Sequence, residues 1–366
     1  MIRLGALGDV VRTLPTVAGL RERFPTAELT WMVEAKAAGV LKGRSEIDRV
    51  WIFPREEFAA WLRAGNVVAL LRETLRLRRS LRQARFDVVL DFHGILKSGV
   101  LSWLAGAPVR MGFARAHTRE FSWLFSNQRI SVGASPVSRF ERNAALVGPL
   151  GVKSQALKKF RLGCDEAALE RVDEWLDGRR RFAILHAGSS PATPYKRLPA
   201  ETYVKVAMRL KESLGLHSIL TFGPGGEERE EALAIARASR GTASLAPETT
   251  RFANLAALLA RAELFIGGDT GPLHVASLVG TPVVQLIGPT HPVENAPFSG
   301  TPSRSLRLGL SCSPCRSGCA QASCMTGLTS DEIVEAAREL ICPGDVLPDV
   351  KRAGSTAALA QSAARS

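Results

Sequence analysis

The run from Leu264 to Pro292, LFIGGDTGPLHVASLVGTPVVQLIGPTHP, constrains the fold more than any other stretch of the chain. Leu264–Ile266 is a short apolar strand that runs into Gly267, Gly268 and Asp269. Thr270, Gly271 and Pro272 then open a helix, Leu273–Val279, which Gly280-Thr281-Pro282 stops before a second apolar strand, Val283–Ile287. Glycine suits the position just past a helix because it takes up positive φ freely. Proline suits a first turn, where its missing N–H would have had no partner. A strand, a glycine turn and a helix in that order aim unpaired backbone N–H groups at one spot, the way backbones hold phosphate oxygens. The same pattern also fits an ordinary βαβ connection capped by an Asp or Thr side chain. His274, one turn into the helix, would face the same spot as Asp269 and Thr270, and it favours a site.

The rest of the chain repeats this alternation. Met1–Leu4 leads into GALGDVVRTLP, where Gly5 and Gly8 allow a tight turn and Asp9 starts a helix running to about Arg23. An Asp there is most often a cap, but it also stands at the mouth of a parallel sheet, where α/β sites lie. Apolar runs follow at Leu29–Val33, Arg49–Phe53, Val88–Asp91 and Val109–Met111, with one long helical stretch, Glu56–Gln83, between the second and third. A second series holds Phe182–His186, the loop AGSSPATPYKRLP with Lys196, Ser218–Phe222, the turn GPGGEER and the helix Asn254–Arg261. Strands alternating with helices predict an α/β fold with doubly wound parallel sheets. A chain of 366 residues exceeds the size at which one core keeps growing, so two domains are expected. They are drawn at 1–155 and 181–328, with a connection at 156–180 and a last helix at 329–342. The Ala-, Ser- and Gly-rich stretch 343–366 reads as disordered.

Charge divides the chain unevenly. Residues 1–150 hold 23 Lys+Arg against 13 Asp+Glu, and the remainder holds 25 against 22. A basic first half suits an anionic partner such as phosphorylated lipid, an acidic membrane or nucleic acid. The plainer alternative is a solvated helix face at Arg72–Arg85, with Arg76, Arg79 and Arg82 on one side. Nucleic acid is disfavoured, because only 6% of residues are aromatic and no basic–aromatic cluster is present to stack bases. No apolar run is long enough to span a bilayer, and Asp9 interrupts the only segment resembling a secretory signal. A cytoplasmic monomer is expected, meeting a membrane only at its surface. Cys312, Cys315, Cys319 and Cys324 give C-x2-C-x3-C-x4-C. Such a run could enclose zinc or an iron–sulfur cluster, but a structural zinc site usually pairs two C-x2-C knuckles and only one is seen. Reduced structural cysteines in a loop are the favoured reading, with no metal and no cofactor.

LGALGDVVRTLP, HAGSS with the following lysine, GPGGEE and above all GGDTGPLHVASLVGTPVVQLIGPTHP resemble the heptosyltransferases of glycosyltransferase family 9, which build the inner core of bacterial lipopolysaccharide. The resemblance covers about residues 1–342. It implies a GT-B architecture, two Rossmann-like domains facing a cleft with the last helix crossing back to the first. It also implies inverting transfer from ADP-L-glycero-β-D-manno-heptose to Kdo–lipid A or a heptosylated core at the inner face of the cytoplasmic membrane. Asp9 would be the base. Ser189, Ser190, Lys196, Glu227, Glu228, Asp269, Thr270, Gly271, Pro272 and His274 would hold the donor. Lys97, Arg110 and Arg142 are the acceptor-side candidates. No DxD pair is present to hold a divalent ion, so metal-independent catalysis is expected. The first strand is shorter than is usual in the family, which implies either a start upstream of Met1 or a less firmly placed Asp9. A sugar-nucleotide epimerase of the same architecture, or a family 9 transferase acting on another acceptor, remain the alternatives.

Overall fold

The computed structural model describes residues 1–342 apart from 134, 154–156, 248, 250 and 316; the stretch 343–366, expected to be disordered, lies outside the described residues. The first half forms a parallel sheet of β1 (Thr30–Glu34), β2 (Arg49–Phe53), β3 (Val88–Leu90), β4 (Val109–Phe113) and β5 (Gln128–Ile130). β1 pairs with β2, β3 with β4 and β4 with β5. The segment Met1–Leu4 completes the sheet between β1 and β3. Ile2 donates to Leu90 O at 2.8 Å, Arg3 donates to Met32 O at 3.2 Å, and Phe92 donates to Ile2 O at 3.1 Å.

The second half forms a six-stranded parallel sheet in the order β11-β10-β9-β6-β7-β8, built from β6 (Phe182–His186), β7 (His217–Thr221), β8 (Ala243–Leu245), β9 (Leu264–Gly268), β10 (Val283–Leu286) and β11 (Ser303–Leu306). Every residue of β6 and β9 is buried, as helices on both faces require. The chain winds outward from β6 to β8 and then returns to β9, so the winding reverses between the neighbours β6 and β9. Ligands of such sheets bind beyond the strands' carboxyl ends at that reversal.

Three features depart from the sequence expectation. Glu56–Gln83 is not one helix but two, Arg55–Arg63 and Val67–Gln83. Gly65 turns the chain between them at φ +62°, and the Asn66 side chain caps the second by accepting from Ala69 N at 3.0 Å. The short strands β5, β8 and β11 carry too few apolar residues to declare themselves; β5 and β11 have no fully buried residue. The last helix, Ser330–Ile341, does not cross back to the first sheet among the described residues. It lies on the second sheet, against β10, β11 and the helix Ala200–Leu214. Its apolar face, Ile333, Val334, Ala336 and Ala337, is buried in one cluster with Leu210 and Leu286, and Arg304 pairs with Glu339 at 2.6 Å.

The two halves share a core. Val10, Val11, Trp31 and Val33 from the first belong to one buried apolar cluster with Phe182, Phe265, Leu273 and Leu278 from the second. At its edge the short helix Leu7–Val11 packs on the helix Gly271–Val279. A methyl group placed on Gly8 would lie 3.2 Å from Gly271 Cα, and one on Gly271 would lie 2.9 Å from a Leu7 methyl. Gly8→Val should therefore wedge the two backbones apart, costing about 1–3 kcal/mol as overpacking does. Gly148→Ala, with nothing within 4 Å, should be close to neutral. Calorimetric midpoints of the two variants check this; equal midpoints would mean the two turns do not carry the contact.

Candidate active site

The helix Gly271–Val279 opens at the carboxyl end of β9. Its N-cap, Thr270, is extended (φ −137°) and its side chain caps nothing; Thr270 Oγ1 points back and donates to Gly268 O at 3.4 Å. The Asp or Thr side-chain cap of an ordinary connection is thus missing, and the first-turn N–H groups face the cavity without a side-chain partner. Asp269 beside them accepts from Lys196 Nζ at 3.2 Å and stands 3.6 Å from His274 Nε2. Burial would raise the Asp269 pKa, but His274 and Lys196 outweigh it and hold the carboxyl well below the usual range. His274 is 1% exposed, and neither ring nitrogen has a hydrogen-bond partner within the protein. Burial and the nearby Arg12 push its pKa down to about 4, so the ring is neutral at pH 7.

Three cavities meet here. The middle one, about 310 Å³, is lined by Asp9, Arg12, Lys196, Asp269, Thr270 and His274, together with Thr290, His291 and Asn295. A second, about 390 Å³, runs over the other sheet's loops past Ser189, Ser190, Phe222, Glu228, Thr270, Gly271 and Pro272. A third, about 630 Å³, opens on the first half between Arg3, His93, Arg119, Arg139 and Arg142. Lys196, Asp269 and Thr270 border the first two, and Asp9, Arg119 and Arg139 border the first and third. Asp9 therefore stands where a ligand in each outer cavity would meet.

Asp9 is held on both sides. Arg3 pairs with one carboxylate oxygen, and Arg12 Nη2 donates to the other at 2.5 Å. Burial would raise the Asp9 pKa, but Arg3, Arg12 and Arg139 together keep it well below the ordinary carboxylate range. Arg12 also donates to Asn295 Oδ1 at 3.2 Å, and Arg139 Nε reaches the same oxygen at 3.3 Å. The short first strand does not leave Asp9 loose.

The sequence-predicted residues divide. Lys196, Asp269, Thr270, Gly271, Pro272, His274, Ser189, Ser190 and Glu228 all line the middle or the second cavity. Ser189 Oγ is already engaged, donating to Thr193 O at 2.9 Å and accepting from Arg197 Nε at 3.1 Å, so it shapes the loop. Glu228 accepts from Gly223 N at 2.7 Å at the cavity wall, whereas Glu227 is exposed and lines none of the three cavities. On the other side only Arg142 reaches a cavity; it donates to His117 O at 2.6 Å, and burial pushes its pKa down to about 10. Lys97 instead pairs with Glu34 at 2.7 Å, and Arg110 donates to Phe125 O at 3.0 Å and Ala107 O at 2.9 Å, fastening a turn. Neither lines the third cavity; a nearer partner takes the charge of Lys97 and the N–H groups of Arg110. Arg3, Arg119, Arg139 and His93 also line the third cavity, and no sequence motif marks them. They are scattered singly along the chain, and only the sheet brings them together. Cys312, Cys315 and Cys319 are exposed, Cys324 is buried, and all four are free thiols. No three metal-ligating side chains among the described residues stand together as a metal site. Gly318 of this loop packs on the Tyr195 ring, next to Lys196.

His186 and His274 are both buried with pKa values pushed down to about 4, in each case first of all by burial. Between about pH 6.5 and 4 the unfolded chain binds protons at these positions and the native chain does not. Their contribution to stability is therefore complete above about pH 6.5 and is lost as pH falls, by up to about 1.4 kcal/mol per unit for each ring. Urea unfolding at pH 7 and pH 5 should show this fall, and His274→Gln should make it shallower. An unchanged slope in the variant would mean that His274 is not held neutral.

The chain matches glycosyltransferase family 9 (heptosyltransferase) over residues 74–325. The lipopolysaccharide core heptosyltransferase OpsX of Haemophilus influenzae is 27% identical over 301 residues, 82% of this chain and 81% of that protein. Lipopolysaccharide heptosyltransferase 1 of Pseudomonas aeruginosa is 27% identical over 340 residues, 86% of this chain and 85% of that one. Among solved structures, the glycosyl transferase family 9 protein of Veillonella parvula superposes with a TM-score of 0.76 at 20% identity, covering 94% of this chain and 96% of its own. E. coli heptosyltransferase WaaC with ADP superposes at 0.70 and 22% identity, covering 93% and 98%. At these identities the structures speak for the fold, which is GT-B, and the sequence match speaks for the family. The chain belongs to glycosyltransferase family 9, the heptosyltransferases, and is a glycosyltransferase.

Proposed function

We propose that the protein transfers a heptose from ADP-L-glycero-β-D-manno-heptose to an inner-core lipopolysaccharide acceptor, Kdo–lipid A or a heptosylated core, with inversion. The observation that carries the reading is the position of Asp9 between an outer cavity that ends in an uncapped helix N-terminus with Lys196 and one ringed by arginines. A nucleoside diphosphate suits the first, since helix-end N–H groups and a lysine neutralise phosphate charge. Glu228 at the far wall suits a ribose hydroxyl. WaaC, a relative in fold, has been solved with ADP and with ADP-2-deoxy-2-fluoro heptose, which favours the same class of donor here. An acceptor bearing carboxylates or phosphates suits the second cavity, because guanidinium groups bind both bidentately.

In this reading the acceptor hydroxyl attacks the anomeric carbon from the face opposite the diphosphate. Its O–H proton passes to Asp9 as the new C–O bond forms. The anomeric carbon–phosphate oxygen bond breaks, and ADP leaves with the charge that Lys196 and the N–H groups of Thr270, Gly271 and Leu273 receive. Two arginines on Asp9 guarantee its charged form and lower its basicity, so proton transfer comes late, once the hydroxyl has become acidic. The enzyme works as a monomer at the cytoplasmic face of the inner membrane, with no cofactor and no divalent ion.

Incubation with ADP-heptose and Kdo–lipid A, followed by weighing of the product, tests the transfer; release of free heptose without acceptor would favour an epimerase. Asp9→Asn should keep donor affinity and lose about 10²–10⁴-fold in turnover. Lys196→Ala should weaken ADP binding through lost charge pairing. Turnover within a few-fold of wild type in the first, or unchanged calorimetric ADP affinity in the second, removes that residue from its role.

A further inference from the structure

We propose that the exposed face of the helix Val67–Gln83, together with Leu62 just before it, is a docking surface for an anionic lipid bilayer. Twelve large apolar side chains stand exposed among the described residues, and eleven of them lie between residues 50 and 124. Five of the eleven belong to this helical hairpin: Leu62 (71% exposed), Val67 (59%), Val68 (78%), Leu71 (58%) and Leu75 (58%). At about 100° per residue the last four fall within one arc of about 100° on the helix. The opposite side is already used, since Ala69 and Leu81 are buried and Leu77 packs on the core of the first sheet. A surface helix normally shows one apolar stripe, toward the core. This one shows two, and the second faces water.

Charge identifies what covers it. The helix carries Arg72, Arg76, Arg78, Arg79 and Arg82 against a single acid, Glu73. Glu73 accepts from Arg72 at 3.3 Å and from Arg76 at 3.1 Å. Arg79 and Arg82 continue the apolar arc toward the helix's C-terminal end, and neither has an ion pair among the described residues. An apolar arc followed by a basic one is the pattern of a helix lying in the plane of a membrane interface, with its side chains in the acyl boundary and its cations among anionic headgroups. A second copy of this chain is the poorer occupant, because pairing two such faces would bring five arginines against five. The surface deepens the reading of a lipid-linked acceptor, since it lies on the half that holds the arginine-ringed cavity, but it stands on its own residues.

The test uses the full chain with no donor and no acceptor present. The protein should float with vesicles of phosphatidylethanolamine and phosphatidylglycerol at low salt, and should float far less with phosphatidylcholine vesicles. Leu71→Glu with Leu75→Glu should lower partitioning at least about 10-fold, and Arg79→Glu with Arg82→Glu should do the same while removing the salt dependence. Both double variants should keep wild-type turnover on a soluble, delipidated acceptor. If no protein turns over that acceptor, the functional reading fails while the flotation result still stands. Wild-type flotation by both variants overturns the proposal. So does a wild-type dimer in sedimentation velocity that the leucine variant dissociates without any vesicle binding, which would make the face an interface between copies.

Discussion

The contact between Gly8 and Gly271 is the constraint on which the site depends. Two glycine turns, one from each half, meet closely enough that a Cβ on Gly8 would crowd Gly271 Cα at 3.2 Å. Each turn starts a helix. Setting one against the other places Asp9 of the first half over Lys196, Asp269 and the uncapped N-terminus of the second. The apolar cluster from Val10 and Trp31 through to Leu273 and Phe265 closes around that contact. The position of the Asp9 carboxylate relative to the turn before the helix Gly271–Val279 is therefore a consequence of core packing, and interiors packed at crystal density tolerate little displacement.

Around that contact two carboxylates are kept charged by different means. Asp9 sits between two guanidinium groups, while Asp269 sits between a lysine ammonium and a neutral imidazole. In a partly dehydrated cleft such pairs interact several times more strongly than in water, and removing one member leaves the other an uncompensated buried charge. Asn295 extends the arrangement: its side-chain oxygen receives Arg12 and Arg139, while its backbone oxygen receives Gln285 of β10. Arg139 at the third cavity and Arg12 at the middle one are thus tied to the second sheet.

The turn from Gly267 to Pro272 that lines the middle cavity was legible in the sequence because its parts are contiguous. Strand, Gly-Gly-Asp, helix opening and His274 follow one another, and local geometry alone brings them to one spot. Asp9 was legible for the same reason. The first sheet's wall of the site was not, since Arg3, Arg119 and Arg139 come from three separate segments and acquire meaning only when Met1–Leu4 is threaded between β1 and β3. Lys97 and Arg110 have the right chemistry, and sequence could not show that Glu34 and the carbonyls of Ala107 and Phe125 lie nearer. Asn66 and Gly65, which break the long basic helix in two, are ordinary turn residues whose signal was outweighed by the apolar and charged periodicity on either side. The return of the last helix to the first sheet was a family expectation, and an apolar face matched to β10 and the helix Ala200–Leu214 decides against it among the described residues.

The threading of Met1–Leu4 also bears on how the chain comes to be folded during synthesis. This segment emerges ahead of both neighbours that it hydrogen-bonds, and the second of them, β3, begins only at Val88. Until then one edge of the nascent sheet stays open, and the pairing that closes it has high contact order, which slows its formation. An unpaired edge is a site for association with other chains, and a charge within it discourages that. Arg3 is such a charge. The residue that clamps Asp9 in the folded protein is thus also the charge that this edge carries.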